Sequence, residues 1–458
     1  MDLDLDDWEL GALISYYQSK SVRSRIAEYC GGSPDDFRSF TARGLALYGG
    51  IDLTQRVEGA PVEVPVETWP SLFKMGADVC RSLDDSSGTL IALDVDYMNH
   101  GDACEPYRDP TRTFERLEPV YATALALMAD YGIKPLTLMT GRGYHLIIKA
   151  EAGGPFEASL KNLGRRGQGT SQSGSLPSSS GANAAHQGAG LLVEHLAHEI
   201  CRSLAGRTEV PLTLLDLPPV ANEPFICLDL SAYGDVIGNR SLRCAFSGNQ
   251  KARMGSLQVW PRVVAVLPRH DETRSDLIRA RADLNNAADL AETSSAAIPS
   301  VWAADGWLAS YEASGLATFH RYFDRVGVDA AGPAPAPFLV PQCALRPLVQ
   351  PNDALLEPGS LRTVALTLWA RGYHPREVAE LISGRYASPD HWGDYWEHYD
   401  RATRAEFYVR IACGAIAGGI EDWDAFTCDA QRRSGYCTGS GCGIDLAQFS
   451  PGSRKGTS

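Results

Sequence analysis

The sequence has no uninterrupted apolar stretch of about 18 residues or more, which is the length that a membrane-spanning helix needs. The first seven residues contain four aspartates and neither lysine nor arginine, whereas a secretory signal peptide begins with basic residues. We therefore expect a cytoplasmic protein that has no membrane partner.

Positive charge is also scarce. The 458 residues include 42 Lys and Arg against 56 Asp and Glu, which gives a formal net charge of −14. Domains that coat nucleic acid by bulk electrostatics are strongly basic, so this balance excludes that class but leaves room for an enzyme with a local basic track. No repeat at solenoid periods is present, and the length predicts two or three globular domains.

The sequence carries 11 cysteines but no signal for secretion. A disulfide framework is not expected without an oxidising compartment, because cytosolic thiols are kept reduced. Free thiols together with a metal site are the remaining expectation.

Hydrophobic periodicity predicts elements of an α+β fold. A strand over residues 90–97, a helix over 113–131, and strands over 136–139 and 144–149 form a β-α-β-β unit with a tight turn before the last strand. Further predicted elements are a helix or helix pair over 8–29, a strand over 43–48, a helix over 191–205, a strand over 224–230, charged helical residues over 271–293, and helices over 360–370, 375–382 and 402–416.

Shifts in composition predict the domain organisation. Residues 164–190 are rich in Gly, Ser, Gln and Ala and have little to bury, so they predict a flexible insertion. Residues 329–337 consist mainly of Pro and Ala and predict a stiff linker. We expect a catalytic domain over 1–265, a helical connector with the linker over 266–337, and a second domain over 338–450.

The strand over 90–97 delivers two acids, Asp94 and Asp96, in an Asp-x-Asp spacing. Side chains alternate along a strand, so both acids point to the same face. Two unit charges about 4 Å apart repel by about 4 kcal/mol at an effective dielectric of about 20, so the pair needs a cation or raised pKa values. A divalent metal ion meets this need, and the alternative is a solvated or turn-capping pair.

The second stretch with candidate functional residues is the turn over 140–145, which contains Arg142 and His145. Its two glycines allow backbone amides to converge on an anion, and the two side chains add donors that suit a phosphate. The alternative is an ordinary hairpin in which the histidine packs in the core.

The third stretch begins with an apolar strand that ends in Asp229, a possible third carboxylate for the metal site. A polar and cationic track follows it, and a solvated hairpin is the alternative explanation of that track. The residues of interest in the track are Arg240, Arg243, Ser247, Asn249 and Lys251.

Taken together and in this order, the three stretches resemble the archaeo-eukaryotic primase superfamily, in particular the small catalytic subunit of primases. That family has a strand with two acids, a Ser-Gly-rich turn ending in His, and a strand acid followed by an Arg-Leu-Ile-Arg-like stretch. Tyr16, Tyr17 and the strand over 43–48 are similar to its amino terminus. The resemblance covers about residues 10–255 and implies an RRM-like β-sheet core with flanking helices.

The resemblance also implies roles for individual residues. Asp94, Asp96 and Asp229 would be the carboxylates that bind Mg²⁺ or Mn²⁺. The contacts to the incoming nucleotide would come from Arg142, His145, Arg240, Arg243, Ser247, Asn249 and Lys251. The sequence departs from the family at Asn249, where archaeal enzymes have His, and its glycine turn is shorter. The family's zinc knuckle is not evident, and we expect the helically spaced His195, His198 and Cys201 to pack in the core.

Three late cysteines, Cys428, Cys437 and Cys442, lie in a Gly-rich stretch predicted to be turn-like. Thiolates select zinc or an iron–sulfur cluster, and both usually require a fourth ligand. The spacing leaves Cys343 and Cys413 as candidates for that ligand.

Residues 338–445 resemble the iron–sulfur domain of the primase large subunit, which has a Pro-Pro-Cys stretch, a helix pair and three late cysteines. This resemblance implies a mainly α-helical domain in which Cys343, Cys428, Cys437 and Cys442 ligate a [4Fe–4S] cluster. Zinc is the alternative, and Cys413 is expected in the core.

The combined resemblance implies a single-chain primase. It would synthesise primers de novo on a single-stranded DNA template by two-metal nucleotidyl transfer from NTP or dNTP, with a helicase or other replication proteins as partners. One alternative is a repair or gap-filling polymerase that extends primers but does not initiate. The other is a single-stranded nucleic-acid-binding protein whose catalytic site has decayed.

Overall fold

The computed structural model describes residues 5–48, 62–166, 181–253, 259–325, 341–349, 357–386, 400–437, 442–443 and 445–449. The fold is mixed, with helices and a mixed sheet, and this confirms the α+β class. No helix among the described residues has the length and apolar character that crossing a membrane requires.

The elements are as follows. The α-helices are α1 (Leu5–Tyr16), α2 (Lys20–Tyr29), α3 (Trp69–Leu72), α4 (Glu105–Arg108), α5 (Pro110–Asp130), α6 (Pro155–Arg166), α7 (Gly181–Ser203), α8 (Arg274–Arg281), α9 (Leu284–Thr293), α10 (Asp305–Ala313), α11 (Gly315–Asp324), α12 (Gln342–Val349), α13 (Pro358–Ala370), α14 (Pro375–Tyr386), α15 (Arg401–Ala417) and α16 (Cys428–Arg433). The strands are β1 (Leu45–Tyr48), β2 (Val62–Val64), β3 (Asp78–Ser82), β4 (Asp84–Asp85), β5 (Gly88–Met98), β6 (Leu136–Met139), β7 (Gly143–Glu151), β8 (Leu212–Thr213), β9 (Phe225–Asp229), β10 (Ser241–Arg243), β11 (Gly248–Asn249), β12 (Val264–Ala265), β13 (Leu267–Pro268) and β14 (Ser300–Val301).

The chain divides into two compact units, each built from two segments. Unit 1 contains Met1–Ala158 and Ile237–Ala304, and unit 2 contains Ser159–Val236 and Asp305–Ser458. These units do not coincide with the predicted boundary at 265, because β13 pairs with β6 and β14 pairs with β7, which join residues after 265 to the sheet of unit 1. The predicted linker lies outside the described residues.

The β-α-β-β unit is the centre of unit 1. Strand β7 pairs with β5 on one side and β6 on the other, antiparallel in both cases. Helix α5 begins where Asp109 accepts the Arg112 amide at 3.0 Å, and its Phe114, Leu117 and Val120 are fully buried. Apolar spacing near 3.6 residues and alternation in the strands account for these elements, and the structure confirms their prediction.

A second sheet of unit 1 has the order β10-β3-β1-β2, antiparallel throughout. Two buried tyrosines, Tyr16 at the end of α1 and Tyr17 directly after it, attach the β10–β11 track to this unit. The hydroxyl of Tyr16 donates to the carbonyl of Phe246 at 2.9 Å, and the hydroxyl of Tyr17 accepts the amide of Gly248 at 2.9 Å. Buried hydroxyls with partners hold the track in place.

The predicted flexible insertion over 164–190 is wrong at both ends. Helix α6 continues to residue 166 and α7 begins at residue 181, while residues 167–180 lie outside the described part. A Cβ atom on Gly164 would lie 1.9 Å from the carbonyl oxygen of Ala184, and one on Gly188 would lie 2.0 Å from that of Leu160. The small residues that indicate a linker by composition instead let two helices pack closely.

Unit 2 is mainly helical and has a charged core. Glu194 on α7 is fully buried, and its two oxygens lie 3.2 Å from His320 Nε2 and 3.1 Å from Arg410 Nε. Burial opposes the charge of Glu194, but His320 and Arg410 lower its pKa to about 2. His195 and His198 on the same helix are also buried, as expected for core residues.

The start of the cysteine-rich tail is a helix and not the predicted turn. In α16 the Thr427 hydroxyl accepts the amide of Ala430 at 3.2 Å, which is an N-cap that begins the helix at Cys428. Residues 438–441 lie outside the described part.

Candidate functional site

Strand β5 carries Asp94 and Asp96 beside its antiparallel neighbour β7. In this register Asp94 lies opposite His145, and Asp96 lies opposite Gly143. Because side chains alternate along a strand, the two aspartates share one face of the sheet. The strand pair therefore brings the first and second predicted stretches together.

Asp94 has one oxygen that is weakly engaged. His145 Nε2 lies 3.5 Å from Asp94 Oδ1, and this oxygen accepts no hydrogen bond from the described part of the chain. Burial disfavours the cationic imidazole, but the charge of Asp94 outweighs burial and raises the pKa of His145 above its ordinary value. A carboxylate oxygen of this kind suits a hard metal ion, and a cationic imidazole suits a phosphate.

Asp96 is bound by Arg142. The guanidinium donates from Nε at 2.8 Å and from Nη2 at 2.5 Å to the same oxygen, Asp96 Oδ2. Burial opposes the charge of Asp96, but Arg142 and then Lys251 hold the pKa of its carboxyl below the ordinary value. Asp96 is therefore anionic at neutral pH, and Arg142 is its main partner.

The two glycines of the turn before β7 serve close packing. A Cβ atom on Gly143 would lie 1.8 Å from the carbonyl oxygen of Val95, and one on Gly141 would lie 2.4 Å from Nδ2 of Asn249. The Gly143 amide donates to Thr140 Oγ1 at 3.0 Å. This amide is thus committed within the turn and does not point to an anion, which the sequence had predicted for the glycine amides.

Arg243 is engaged by Asp78, an acid at the start of β3 that has no spacing signal in the sequence. Arg243 Nη2 donates to Asp78 Oδ2 at 3.1 Å, and Asp78 is fully buried. The backbone and side-chain amides of Gln250 donate to the same carboxylate at 3.0 and 2.9 Å. Burial raises the pKa of Asp78 despite these partners. Only the tertiary contact between β3 and the track reveals this acid.

Ser247 has a structural role in place of the predicted nucleotide contact. Its fully buried hydroxyl accepts the amide of Val79 at 2.7 Å and donates to the carbonyl of Gly248 at 2.9 Å. A hydroxyl has one proton to donate, and here the fold uses it. The residue fixes β11 against β3.

Asn249 and Lys251 complete the track beside the turn. Asn249 is buried, and its Oδ1 accepts the amide of Lys251 at 3.2 Å. Lys251 reaches solvent. Repulsion from Arg142, followed by partial burial, lowers the pKa of the Lys251 ammonium group to about 8. Lys251 therefore belongs to the same electrostatic cluster as Arg142 and Asp96.

The nucleotide role of Arg240 and the metal role of Asp229 stay predictions, as do the roles of the other predicted site residues. Arg240 precedes β10, and its carbonyl accepts the amide of Leu83 at 2.9 Å. Asp229 ends β9 in unit 2, and its Oδ1 accepts the amide of Ser231 at 2.8 Å. These contacts locate both residues but do not test their nucleotide and metal roles.

Arg281 supports the turn from α8, although the sequence marks it only as part of a charged helix. Its guanidinium is buried and donates from Nη1 to the carbonyls of Thr140 at 2.5 Å and Gly141 at 3.0 Å. It also stacks 4.8 Å from the ring centre of Phe114. Burial lowers the pKa of Arg281 to about 10. The carbonyls that it binds lie directly before Arg142.

The four cysteines implied by the second resemblance lie in one region of unit 2. Burial is the first cause that raises the pKa of the Cys343 thiol to about 11, and three cysteine neighbours add to it. These neighbours are Cys437, Cys428 and Cys442. Such mutual effects require proximity, because Coulomb interactions fall with distance. Cys413 is fully buried in α15.

Neither the aspartates of β5 nor the four cysteines form an assembled metal site in the described part of the chain. Across the described ranges, no three His, Cys, Asp or Glu side chains stand close enough together to hold one metal ion. The donors still match the implied groups in kind. Asp94 Oδ1 is a buried carboxylate oxygen that accepts no hydrogen bond from any described residue, which suits Mg²⁺ or Mn²⁺, and neighbouring thiols suit an iron–sulfur cluster or zinc.

No protein-family model matches this chain. No curated protein matches it either. A functional interpretation therefore depends on the geometry of the residues described above.

Proposed function

We propose that this chain is a primase-polymerase of the archaeo-eukaryotic primase superfamily, a nucleotidyltransferase that starts primers on single-stranded DNA from NTP or dNTP. The observation that carries the proposal is the β5–β7 strand pair, which places Asp94 and Asp96 on one face beside His145. Arg142 and Lys251 add two cations to this group. Acids for a metal next to cations for a triphosphate are what nucleotidyl transfer requires.

Asp94 and Asp96 would hold Mg²⁺ or Mn²⁺. When bound, two such ions activate the attacking 3′-hydroxyl and neutralise the pyrophosphate leaving group. The protein's contribution is to bury the Asp94 oxygen without a hydrogen-bond donor and to keep Asp96 ionised.

Arg142 would change partners when a nucleotide binds. Its guanidinium now donates twice to one oxygen of Asp96. A phosphate group accepts the same pair of donors and carries more negative charge. Release of Asp96 by Arg142 would thus be coupled to nucleotide binding, and His145 and Lys251 would add positive charge around the triphosphate.

Exposed aromatic side chains supply a surface for the template. Trp8 and Trp260 are 68% and 69% exposed, although tryptophan is usually buried. Arg262 Nε lies 3.7 Å from Glu9 Oε2, so the segments that carry the two indoles meet. Unpaired bases stack on exposed aromatic rings, and this supports single-stranded DNA as a partner.

Unit 2 would bind a [4Fe–4S] cluster through Cys343, Cys428, Cys437 and Cys442, with zinc as the alternative. Initiation must place two free nucleotides in reacting geometry, whereas extension places only one. Holding the second nucleotide costs entropy, and a second binding surface reduces this cost. A cytoplasmic location and a helicase or other replication partner complete the proposal.

The test is synthesis on circular single-stranded DNA with labelled NTP or dNTP, Mg²⁺ or Mn²⁺, and no primer. We expect product from the native chain and at least a hundredfold less, about 3 kcal/mol in barrier, from Asp96→Asn. Asp84→Asn on β4 is the matched control, because this acid pairs with Arg43 at 3.3 Å outside the cluster. Full activity of Asp96→Asn would refute the active site.

The same assay separates the alternatives. Product that forms only on a primed template identifies a primer-extending polymerase. One observation favours the decayed-site alternative, namely that Arg142 occupies an oxygen that a metal ion would need. DNA binding without incorporation on primed or unprimed template would establish that alternative.

A further inference from the structure

Tyr107 on α4 has a buried hydroxyl that lacks a partner among the described residues. The residue is 3% exposed, and its Oη makes no hydrogen bond within the described part of the chain. Buried hydroxyls nearly always have a hydrogen-bond partner, because removal from water otherwise goes uncompensated. The exception calls for a specific explanation.

The hydroxyl lies beside the turn that carries Arg142. A Cβ atom on Gly141 would lie 3.1 Å from Tyr107 Oη and 2.4 Å from Asn249 Nδ2, so both polar groups border the same glycine. That glycine directly precedes Arg142 in the chain. Tyr107 thus lies at the wall of the cluster formed by Asp96, Arg142 and Lys251.

Positive charge predominates around this hydroxyl. The charged groups with the largest effect on it include the guanidinium groups of Arg142, Arg243 and Arg281 and the carboxylate of Asp96. Burial raises the pKa of the Tyr107 phenol above its ordinary value, so it keeps its proton at neutral pH. A protonated donor among three cations and one anion suits an anionic acceptor.

We propose that Tyr107 is a nucleotide-contact residue whose phenol donates a hydrogen bond to a triphosphate oxygen of the incoming nucleotide. This inference rests on the proposed function and adds a residue that none of the three sequence stretches contains. The neutral phenol can donate a hydrogen bond to a phosphate oxygen without adding positive charge to the site. Its contribution to binding therefore depends on the position of that oxygen.

A purely structural Tyr107 makes the opposite prediction. If the ring only fills space, Tyr107→Phe preserves the packing and removes an unpartnered polar atom. The variant would then bind nucleotide as well as the native chain does, and it would be equally or more stable.

The experiment measures dissociation constants of the full chain by calorimetry for dATP, ATP and inorganic triphosphate, without DNA. We expect Tyr107→Phe to weaken all three about tenfold, which is about 1.4 kcal/mol, while the melting temperature stays the same or rises. Tyr29→Phe is the matched control, because Tyr29 also has a buried hydroxyl without a partner in the described structure but lies among Cys30, Cys80 and Cys244.

The outcomes separate this inference from the proposed function. Unchanged binding by Tyr107→Phe overturns the inference and leaves the function standing, and a loss confined to ATP overturns it in favour of a sugar contact. If Tyr107→Phe weakens binding of all three ligands but the native chain never incorporates nucleotide, the inference is supported and the function is refuted. If the native chain binds none of the three, both are refuted.

Discussion

Arg142 acts on two side chains of opposite charge. It neutralises Asp96 through two hydrogen bonds, and its repulsion is the largest cause of the low pKa of Lys251, about 8. Both effects arise because one guanidinium group lies close to Asp96 on β5 and to Lys251, which follows β11. The charge state of the cluster therefore changes within the ordinary range of assay pH.

Nucleotide binding is expected to weaken as the pH rises through about 8. Lys251 is cationic below this pH and would then attract the triphosphate, and it is neutral above it. Loss of one charge-assisted contact corresponds to about tenfold in the dissociation constant of dATP. Calorimetric titrations at a series of pH values around 8 measure the effect.

Lys251→Arg is the matched variant for this prediction, because a guanidinium stays protonated throughout the range. The variant is expected to bind with no weakening near pH 8. A pH dependence that is identical in both proteins would assign the titration to another group.

At the scale of elements, the turn before β7 is built by α8. Arg281 reaches it from a helix that follows the turn by more than a hundred residues, and its guanidinium binds the two carbonyls that precede Arg142. Charged helices are usually solvated on one face, so the sequence of α8 alone indicates an exposed role. Arg279 on the same helix does have that role, with a side chain 74% exposed.

Arg281→Lys is expected to lower the free energy of unfolding by about 1–3 kcal/mol, because the single nitrogen of a lysine cannot replace both Nη1, which donates to the two turn carbonyls, and Nη2, which donates to the carbonyl of Pro106. It should also raise the dissociation constant for nucleotide, since Arg142 would no longer be fixed. Urea denaturation and calorimetry measure the two effects.

The control on the same helix is Arg279→Lys, which is expected to change stability by less than about 0.5 kcal/mol and binding not at all. Equal effects of the two substitutions would contradict a specific role for Arg281. Loss of stability without a change in nucleotide affinity would show that the contact supports the fold alone.

At the scale of the whole molecule, two compact units are each assembled from separated parts of the chain. Residues far apart in the sequence therefore become neighbours. Cys343 lies about 85 residues before Cys428, and yet the late cysteines help to raise the pKa of the Cys343 thiol. Helices α13, α14 and α15 lie between them along the chain.

The protein purified without oxygen is expected to be brown and to contain iron and sulfide, and Cys437→Ser should lose the colour. Cys413→Ser, at a fully buried core position, should keep it. Visible absorption and metal analysis test this. A colourless protein with one bound zinc would select the zinc alternative, and retained colour in Cys437→Ser would exclude this residue as a ligand.

The sequence by itself determined the β-α-β-β unit, the helical character of the residues before it and the shared face of Asp94 and Asp96. Local spacing is sufficient for these, because the periods of helix and strand follow from backbone geometry. It also indicated the hairpin position of His145.

Only the tertiary structure decided which partners these residues have. The pairing of Arg243 with Asp78, the internal hydrogen bonds of Ser247 and the support of the turn by Arg281 join residues that are distant in sequence. Composition failed for the predicted insertion over 164–190, because small residues serve flexible chains and close helix packing equally well. Contacts between distant segments depend on the shape and burial of the folded chain. They produce no periodic pattern of residues that could be recognised in the sequence.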